Sequence, residues 1–105
     1  MKRIGRVVGI RPELKTRYLE LHANPWPEVT RAIHACNIRN FSIYLKGETL
    51  FSYFEYIGQE YENDMRRLDE LTEEWLKETD RCQIPVEDAS PGELWSSMEE
   101  IFYQE

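Results

Sequence analysis

Long apolar runs and an excess of positive charge are both missing from this chain of 105 residues. Without a stretch of about 18 consecutive apolar residues, it has no candidate transmembrane helix. The chain carries 13 Lys and Arg against 20 Asp and Glu, so its formal net charge is −7. Nucleic acids and anionic membranes attract proteins with excess positive charge. We therefore expect neither a nucleic acid nor a membrane as a partner.

Cysteine and histidine are scarce as well, with only two of each in the chain. Cys36 and Cys82 lack the spacing of metal ligands, and no secretory signal pattern follows the basic N-terminus. We therefore expect two free thiols, a cytoplasmic location and no metal site. A glycine-rich phosphate loop and a nucleophile motif are also absent.

The composition is otherwise that of an ordinary globular protein. Hydrophobic residues make up 41% of the chain and charged residues 31%. Domains cluster at about 100–150 residues, and a chain of this size can bury one hydrophobic core but not two. The sequence therefore predicts a single domain spanning residues 1–105.

The apolar residues alternate between two periods along the chain. A period of two predicts strands, whereas spacings of three and four predict helices. Strands are predicted over 3–10, 38–45, 49–57 and 94–103, although a helical pattern fits the last of these segments nearly as well. Helices are predicted over 13–22, from Pro27 to the turn at Asn37, and over 58–80 with a break near Asp69. Residues 81–92 are predicted to form an irregular loop. This order predicts an α+β fold of the ferredoxin-like βαββαβ type, an antiparallel sheet with helices on one face.

The predicted strand 49–57 is apolar on both of its faces. One face carries Leu50, Phe54 and Tyr56, and the other carries Phe51, Tyr53 and Ile57. A sheet covered by helices on one side normally has a polar second face, and large exposed apolar patches are rare on monomers. The pattern therefore predicts a homodimer formed through the sheet.

Two hypotheses apply to His22, which lies one helical turn after Tyr18 and just before the break at Asn24-Pro25-Trp26-Pro27. It could interact with the helix dipole as an ordinary histidine at a helix end. It could also act as a general acid or base near neutral pH, in a cleft opened by the end of the helix. His34, in the middle of the next helix, is predicted to be a surface residue. Trp75 could belong to the core or to a ligand platform, and Trp95 is predicted to belong to the core.

Four segments, which begin at Tyr18, Asn40, Trp75 and Met98, together span nearly the whole chain, and in register they resemble the L-rhamnose mutarotase family. Asn40-Phe41-Ser42-Ile43-Tyr44-Leu45 is similar to the family's Asn-Tyr-x-Ile-Tyr/Phe-Leu strand, and Trp75-Leu76-Lys77 to its Trp-Trp-Lys segment. The other two segments run from Tyr18 through His22 to Asn24-Pro25-Trp26-Pro27-Glu28, and over Met98-Glu99-Glu100-Ile101-Phe102-Tyr103.

This resemblance implies a cytoplasmic, dimeric α/β barrel of ferredoxin-like topology. Its activity would be the interconversion of the α and β anomers of a 6-deoxy sugar without a cofactor. The family's proton donor falls on His22, and its substrate contacts fall on Tyr18, Phe41, Trp75 and Leu76. At Phe41 the family's tyrosine hydroxyl is missing, and at Leu76 its second tryptophan is missing. One hydrogen bond and one aromatic wall are therefore absent, which leaves the identity of the sugar open.

The chemistry of anomer exchange suits this set of residues. An acid must protonate the ring oxygen while a base removes the proton of the anomeric hydroxyl, and one histidine near neutrality can donate and recover a proton. The opposing base could be Glu28, Glu55 or a bound water. Two alternatives stay open: a small haem-degrading or cofactor-independent monooxygenase on the same kind of barrel, which rests on analogy of fold alone, and a non-catalytic sugar-binding module.

Overall fold

An antiparallel sheet and four helices make up the computed structural model, which describes residues 1–105. The strands are β1 (Lys2–Ile10), β2 (Ile38–Lys46), β3 (Thr49–Tyr56), β4 (Gln83–Ile84) and β5 (Ser96–Met98). A 3-10 turn over Pro12–Leu14 leads into α1 (Lys15–Ala23), which is followed by α2 (Pro27–Ala35), α3 (Tyr61–Leu71) and α4 (Glu73–Asp80). None of these helices has the length and apolar character needed to cross a bilayer.

The strand order is β2-β3-β1-β4, and β5 pairs with β1 beside β4. Every strand pair is antiparallel. This is the order of a split βαβ arrangement, in which each helical segment connects two strands that are not neighbours in the sheet. The predicted α+β fold with an antiparallel sheet is confirmed.

Proline and asparagine mark the points where the elements begin and end. Pro27 occupies the first turn of α2, where its fixed φ suits a helix and its missing N–H costs nothing. Asn37, with a φ of 67°, turns the chain from α2 into β2. Asn40, with a φ of 52°, lies at an irregularity where the register shifts between Arg39 and Ser42. This local change has the form of a β-bulge, which inserts one extra residue into a strand.

The bulge decides which way β2 presents its apolar side chains. Before it, Ile38 pairs with Tyr56, and after it, Ile43 pairs with Ser52. Tyr56 and Ser52 are an even number of residues apart on β3, so their side chains lie on the same face of the sheet. Ile38 and Ile43 are five residues apart and would lie on opposite faces of a regular strand. The extra residue brings both to the face that carries the helices.

Three boundaries differ from the prediction. The acidic helical segment breaks at Thr72 rather than near Asp69, and the Thr72 hydroxyl donates a hydrogen bond to the Leu68 carbonyl, 2.7 Å away, where α3 ends. The predicted loop 81–92 contains β4, which pairs with Gly9 and Ile10 of β1. The predicted last strand 94–103 is regular only over β5, which pairs with Gly5, Arg6 and Val7 on the same edge of β1.

The core lies between the helices and one face of the sheet. On β1 and β3 this face carries Val8, Ile10 and Leu50, which pack together with Tyr18 of α1 and with Cys82. A second cluster joins the helices to one another through Leu21, Val29 and Trp75. Cys36 and Cys82 are predicted to be free thiols, and in the structure both are free and buried. The cytoplasmic location inferred from them stays a prediction.

The opposite face of the sheet, here called the open face, carries two rows of side chains that run across the strands. One row joins Tyr44, Phe51 and Val7, and the other joins Tyr53 to the Gly5–Met98 pair. Tyr44 is 66% exposed, Phe51 39% and Met98 43%. The open face is therefore apolar and lacks a helix layer.

Candidate active site

A cleft of about 810 Å³ lies between the sheet and the helices. Ligand-binding clefts commonly have volumes of about 300–1,000 Å³, so a monosaccharide can be accommodated. All five residues predicted for the site line this cleft: Tyr18, His22, Phe41, Trp75 and Leu76. A second and smaller cleft, of about 360 Å³ beside Gly58 and Tyr61, contains none of them.

His22 occupies the last turn of α1, where its ring is held from three sides. Its Nδ1 lies 2.9 Å from the backbone oxygen of Tyr18. The His22 ring stacks on the Tyr18 ring at a centroid distance of 4.2 Å and meets the edge of Trp75 at 5.3 Å. These contacts fix the imidazole within the cleft. His34, by contrast, is exposed and does not line the cleft, as predicted.

The hydrogen bond of Nδ1 determines the tautomer of His22. A carbonyl oxygen can only accept, so Nδ1 carries the proton and Nε2 bears the lone pair in the neutral ring. Burial lowers the pKa of His22 below its ordinary value, and the bond to Tyr18 opposes this only in part. At neutral pH the group is therefore a base at Nε2, and it becomes a proton donor only after it has taken up a proton.

Tyr18 is almost fully buried, and its orientation depends on a residue that the sequence analysis did not single out. Its hydroxyl accepts a hydrogen bond from Nε2 of Gln83, at 3.1 Å. Burial raises the pKa of Tyr18 to about 12, so the phenol stays protonated. Because the oxygen accepts from Gln83, the hydroxyl proton is free to be donated to a ligand in the cleft.

Trp75 lies where the core meets the cleft. It is only 8% exposed and packs with Leu21 and Val29 in the core. It also lines the cleft, where its ring contacts the edge of His22 and that of Trp26 at 5.2 Å. The Asn24-Pro25-Trp26-Pro27 break is what brings Trp26 behind it. Trp75 therefore belongs to the core and to the wall of the cleft together.

Phe41 lies beside the bulge at Asn40, with its ring 5.4 Å from that of Phe54. Without the bulge, its side chain and that of Ile38 would lie on opposite faces of the strand. The cleft is therefore lined by an aromatic ring at this position because of a local change in the backbone.

The two carboxylates considered as the opposing base do not line the cleft. Glu28 is exposed in the first turn of α2. Glu55 accepts hydrogen bonds from the Tyr53 hydroxyl and from Asn40 Nδ2, both at 2.7 Å, on the open face. Asp69 and Asp80 line the cleft instead, and burial raises the pKa of both. A carboxyl group with a raised pKa is suited to act as an acid.

Comparisons with known proteins place the chain in a family. The model of the L-rhamnose mutarotase family matches residues 3–104. The chain belongs to this family. It is 28% identical to the L-rhamnose mutarotase of Lactiplantibacillus plantarum and 29% identical to that of Bacillus subtilis, and each match covers 98% of both chains. The crystal structure of an L-rhamnose mutarotase from Formosa agariphila superposes with a TM-score of 0.74 at 21% identity over the whole of both chains, and so shares the fold.

Membership of the L-rhamnose mutarotase family confirms the resemblance seen in the sequence. The positions at which this chain differs from the family can therefore be compared with the lining of the cleft. Leu76 lines the cleft where a second tryptophan was expected. Trp95 packs against the core, as predicted, and its half-buried side chain also lines the same cleft. Trp95 thus supplies the cleft with an aromatic ring from a different part of the chain, whereas position 76 lacks the expected tryptophan. Arg6, Asp69, Asp80 and Gln83 are further lining residues that the sequence analysis missed.

One of these missed residues had a signal in the sequence. Arg6 stands at an even position of β1, in line with Val8 and Ile10, whose side chains are buried. Since side chains alternate along a strand, a charged residue at such a position faces the core side of the sheet. Charged residues are rarely buried, so a charged residue on the core-facing side of a strand suggests a functional site.

Proposed function

We propose that this protein interconverts the α and β anomers of a monosaccharide of the 6-deoxy class, such as L-rhamnose. The observation that carries the proposal is the braced His22 ring, whose free Nε2 belongs to a cleft of sugar size. The relatives named as L-rhamnose mutarotases support it. The same comparisons do not favour the monooxygenase or the non-catalytic sugar-binding module.

Neutral His22 begins the reaction as a base. Its Nε2 takes the proton of the anomeric hydroxyl, the C1–O1 bond becomes a carbonyl, and the bond between C1 and the ring oxygen breaks. The ring oxygen takes a proton from an acid in the cleft, for which Asp69 and Asp80 are the candidates because burial raises the pKa of each. Rotation about C1–C2 exposes the other face of the aldehyde. On closure the roles reverse, and His22 then donates its proton to the new anomeric oxygen.

The lining of the cleft favours a sugar with an apolar edge. Ten of its nineteen lining residues are hydrophobic. Aromatic faces such as those of Trp75 and Trp95 commonly cover the C–H face of a sugar ring, and aliphatic side chains such as Ile43 can contact the methyl group of a 6-deoxy sugar. The Tyr18 hydroxyl supplies a donor for one oxygen of the ring.

Nuclear magnetic resonance with saturation transfer between the two anomers tests the proposed function directly. We expect the protein to accelerate exchange in L-rhamnose or another 6-deoxy sugar well above the rate in buffer. Failure to accelerate exchange in any 6-deoxy sugar would contradict the proposal. A Soret band on addition of haem would instead favour the monooxygenase alternative.

We also propose that the protein is a homodimer in which two open faces meet. Tyr44, Phe51 and Met98 are exposed on this face, and apolar patches of this kind are normally covered. Its border carries an ion pair between Arg3 and Glu100 at 2.9 Å, and Arg3 also lies over the Tyr103 ring at 3.5 Å. An apolar centre with a charged border is the usual composition of a protein interface.

Tyr44→Glu is expected to convert the dimer into monomers. In a two-fold interface each residue is present on both subunits, so the substitution introduces two negative charges into an apolar contact. The monomer should stay folded, because the Tyr44 side chain is 66% exposed. Analytical ultracentrifugation at micromolar concentration measures the change. The matched control is Leu19→Glu, which alters an exposed apolar residue of α1 and should leave the dimer intact. A wild-type chain that sediments as a monomer would overturn the proposal.

A further inference from the structure

Arg6 is a half-buried charged residue that has neither a hydrogen-bond partner nor an ion-pair partner in the protein. It lies in the middle of β1 and lines the cleft. Its Nε is buried and has no hydrogen-bond partner, and the guanidinium takes part in none of the four ion pairs of the structure. Burying an unpaired charge is costly, so a guanidinium in this position calls for an explanation beyond packing.

The surroundings of Arg6 orient the guanidinium and leave its hydrogen-bonding capacity free. Its central carbon lies 5.1 Å from the centroid of the Phe54 ring and 5.6 Å from that of Trp95. Aromatic faces attract a cation, but they do not satisfy its N–H groups as an oxygen would. Arg6 therefore presents a planar fork of donors whose orientation is already restricted by two rings.

The other buried polar atoms without partners lie on the same side of the sheet. They are Ser52 Oγ and Gln83 Oε1. Ser52 is the cross-strand neighbour of Arg6, and Gln83 pairs with Ile10 and lines the cleft. Buried polar groups almost always have a partner. Of these three residues, Arg6 and Gln83 line the cleft, where a polar ligand could supply a partner.

We propose that Arg6 binds two neighbouring hydroxyl groups of the sugar ring from the sheet side of the cleft. The proposal rests on the proposed function and makes Arg6 a residue that determines which sugar is accepted. Asp69 and Asp80 line the same cleft, and neither forms an ion pair with Arg6. A sugar acid or a sugar phosphate would meet these carboxylates, so the ligand is a neutral sugar with adjacent hydroxyls.

The test compares Arg6→Met and Arg6→Lys with wild type on L-rhamnose and on analogues that each lack one ring hydroxyl. Binding is followed by saturation-transfer difference spectroscopy, and turnover by anomer exchange. Arg6→Met should raise KM about tenfold or more, because hydrogen bonds from a charged group are lost, with kcat within about threefold. The KM of Arg6→Lys should lie between those of wild type and Arg6→Met, because lysine keeps the positive charge but lacks the planar guanidinium with its paired donors. Met retains the aliphatic stem, so the Tm should be unchanged or higher.

The analogues locate the contact. Removing a hydroxyl that Arg6 binds should weaken binding to wild type about tenfold but should cost Arg6→Met nothing further. Arg31→Met, which alters an exposed arginine of α2 outside the cleft, should behave as wild type throughout. If Arg6→Met keeps the wild-type affinity and the wild-type discrimination among analogues, the proposal is overturned while the mutarotase function stands. If wild type binds sugar through Arg6 but does not exchange anomers, the proposed function fails and the role of Arg6 stands. If wild type binds none of these sugars, both fail.

Discussion

His22→Ala is expected to slow anomer exchange by at least about 10²-fold, equivalent to roughly 2.7 kcal/mol of activation free energy. The reason is that Nε2 of His22 is the only ring nitrogen in the cleft free to accept a proton, since Nδ1 is bonded to the Tyr18 carbonyl. Exchange rates measured by saturation transfer on the preferred sugar give the effect. The variant should fold, because a histidine at a helix end usually contributes about 1 kcal/mol or less.

His34→Ala is the matched control for this prediction. His34 lies on the exposed side of α2 and does not line the cleft, so its loss should change neither rate nor stability. Full exchange in both variants would refute a histidine mechanism, and Asp69 or Asp80 would then be the next residues to replace. Loss of exchange in His34→Ala alone would mean that the wrong histidine has been assigned.

The pH dependence gives a second test of the same residue. Burial lowers the pKa of His22 in the folded protein below 6.5, the ordinary value of an exposed histidine. The neutral ring is the active base, so exchange should be at its full rate at pH 7 and should fall as the pH drops through the lowered pKa.

The folded state also resists protonation here, so the contribution of His22 to stability is complete above about pH 6.5 and decreases as the pH falls. As the pH falls below about 6.5, the melting temperature of wild type should decrease relative to that of His22→Gln, which does not titrate. A difference between the two melting temperatures that stays constant with pH would show that His22 is not the group responsible.

Trp75→Ala is expected to lower the free energy of unfolding by about 3–5 kcal/mol, the usual cost of truncating a buried large aromatic side chain. Trp75 is 8% exposed and joins α4 to Leu21 and Val29, so its loss opens a cavity where three helices meet. It also removes the ring that holds the edge of His22. Domains of this kind are stable by about 5–15 kcal/mol, so the midpoint of urea denaturation should fall markedly and sugar affinity should fall with it.

Trp95→Ala separates the two roles of a tryptophan in this cleft. Trp95 is half-buried and lies against the cleft rather than between helices, so its loss should weaken sugar binding with a smaller effect on the denaturation midpoint. A cost below about 1 kcal/mol for Trp75→Ala would show that Trp75 is not part of the core. Equal losses of stability in the two variants would show that the distinction between them is wrong.

Prediction from the sequence succeeded where the information is local. The alternation over 38–45 and 49–57 indicated the hairpin, and Pro27 located the start of α2, because a strand or helix pattern and the fixed φ of proline depend on residues close in the chain. The spacing of Tyr18 and His22 placed both on one face of α1 for the same reason. The resemblance to the L-rhamnose mutarotase family added Phe41, Trp75 and Leu76, all of which line the cleft.

Prediction failed where a side chain acquires its role from distant partners. The bulge at Asn40 depends on the register of β2 against β3, and β4 exists only because residues 83–84 meet the free edge of β1. The alternation after residue 94 is weak. It could not show that β4 occupies part of the same edge of β1, so that β5 pairs with only three residues there.

The sequence by itself determined the helices, the hairpin, the acidic composition and the identity of the residue pair at the end of α1. Only the tertiary structure decided that Nε2 is the free ring nitrogen of His22, that Gln83 donates a hydrogen bond to the Tyr18 hydroxyl, and that Arg6 and two aspartates line the same cleft. The physical reason is that a protonation state, a hydrogen-bond role and an unpaired charge depend on burial and on neighbours many residues away. Periodicity along the chain reports which face a side chain occupies, whereas the packed fold decides what that side chain meets there.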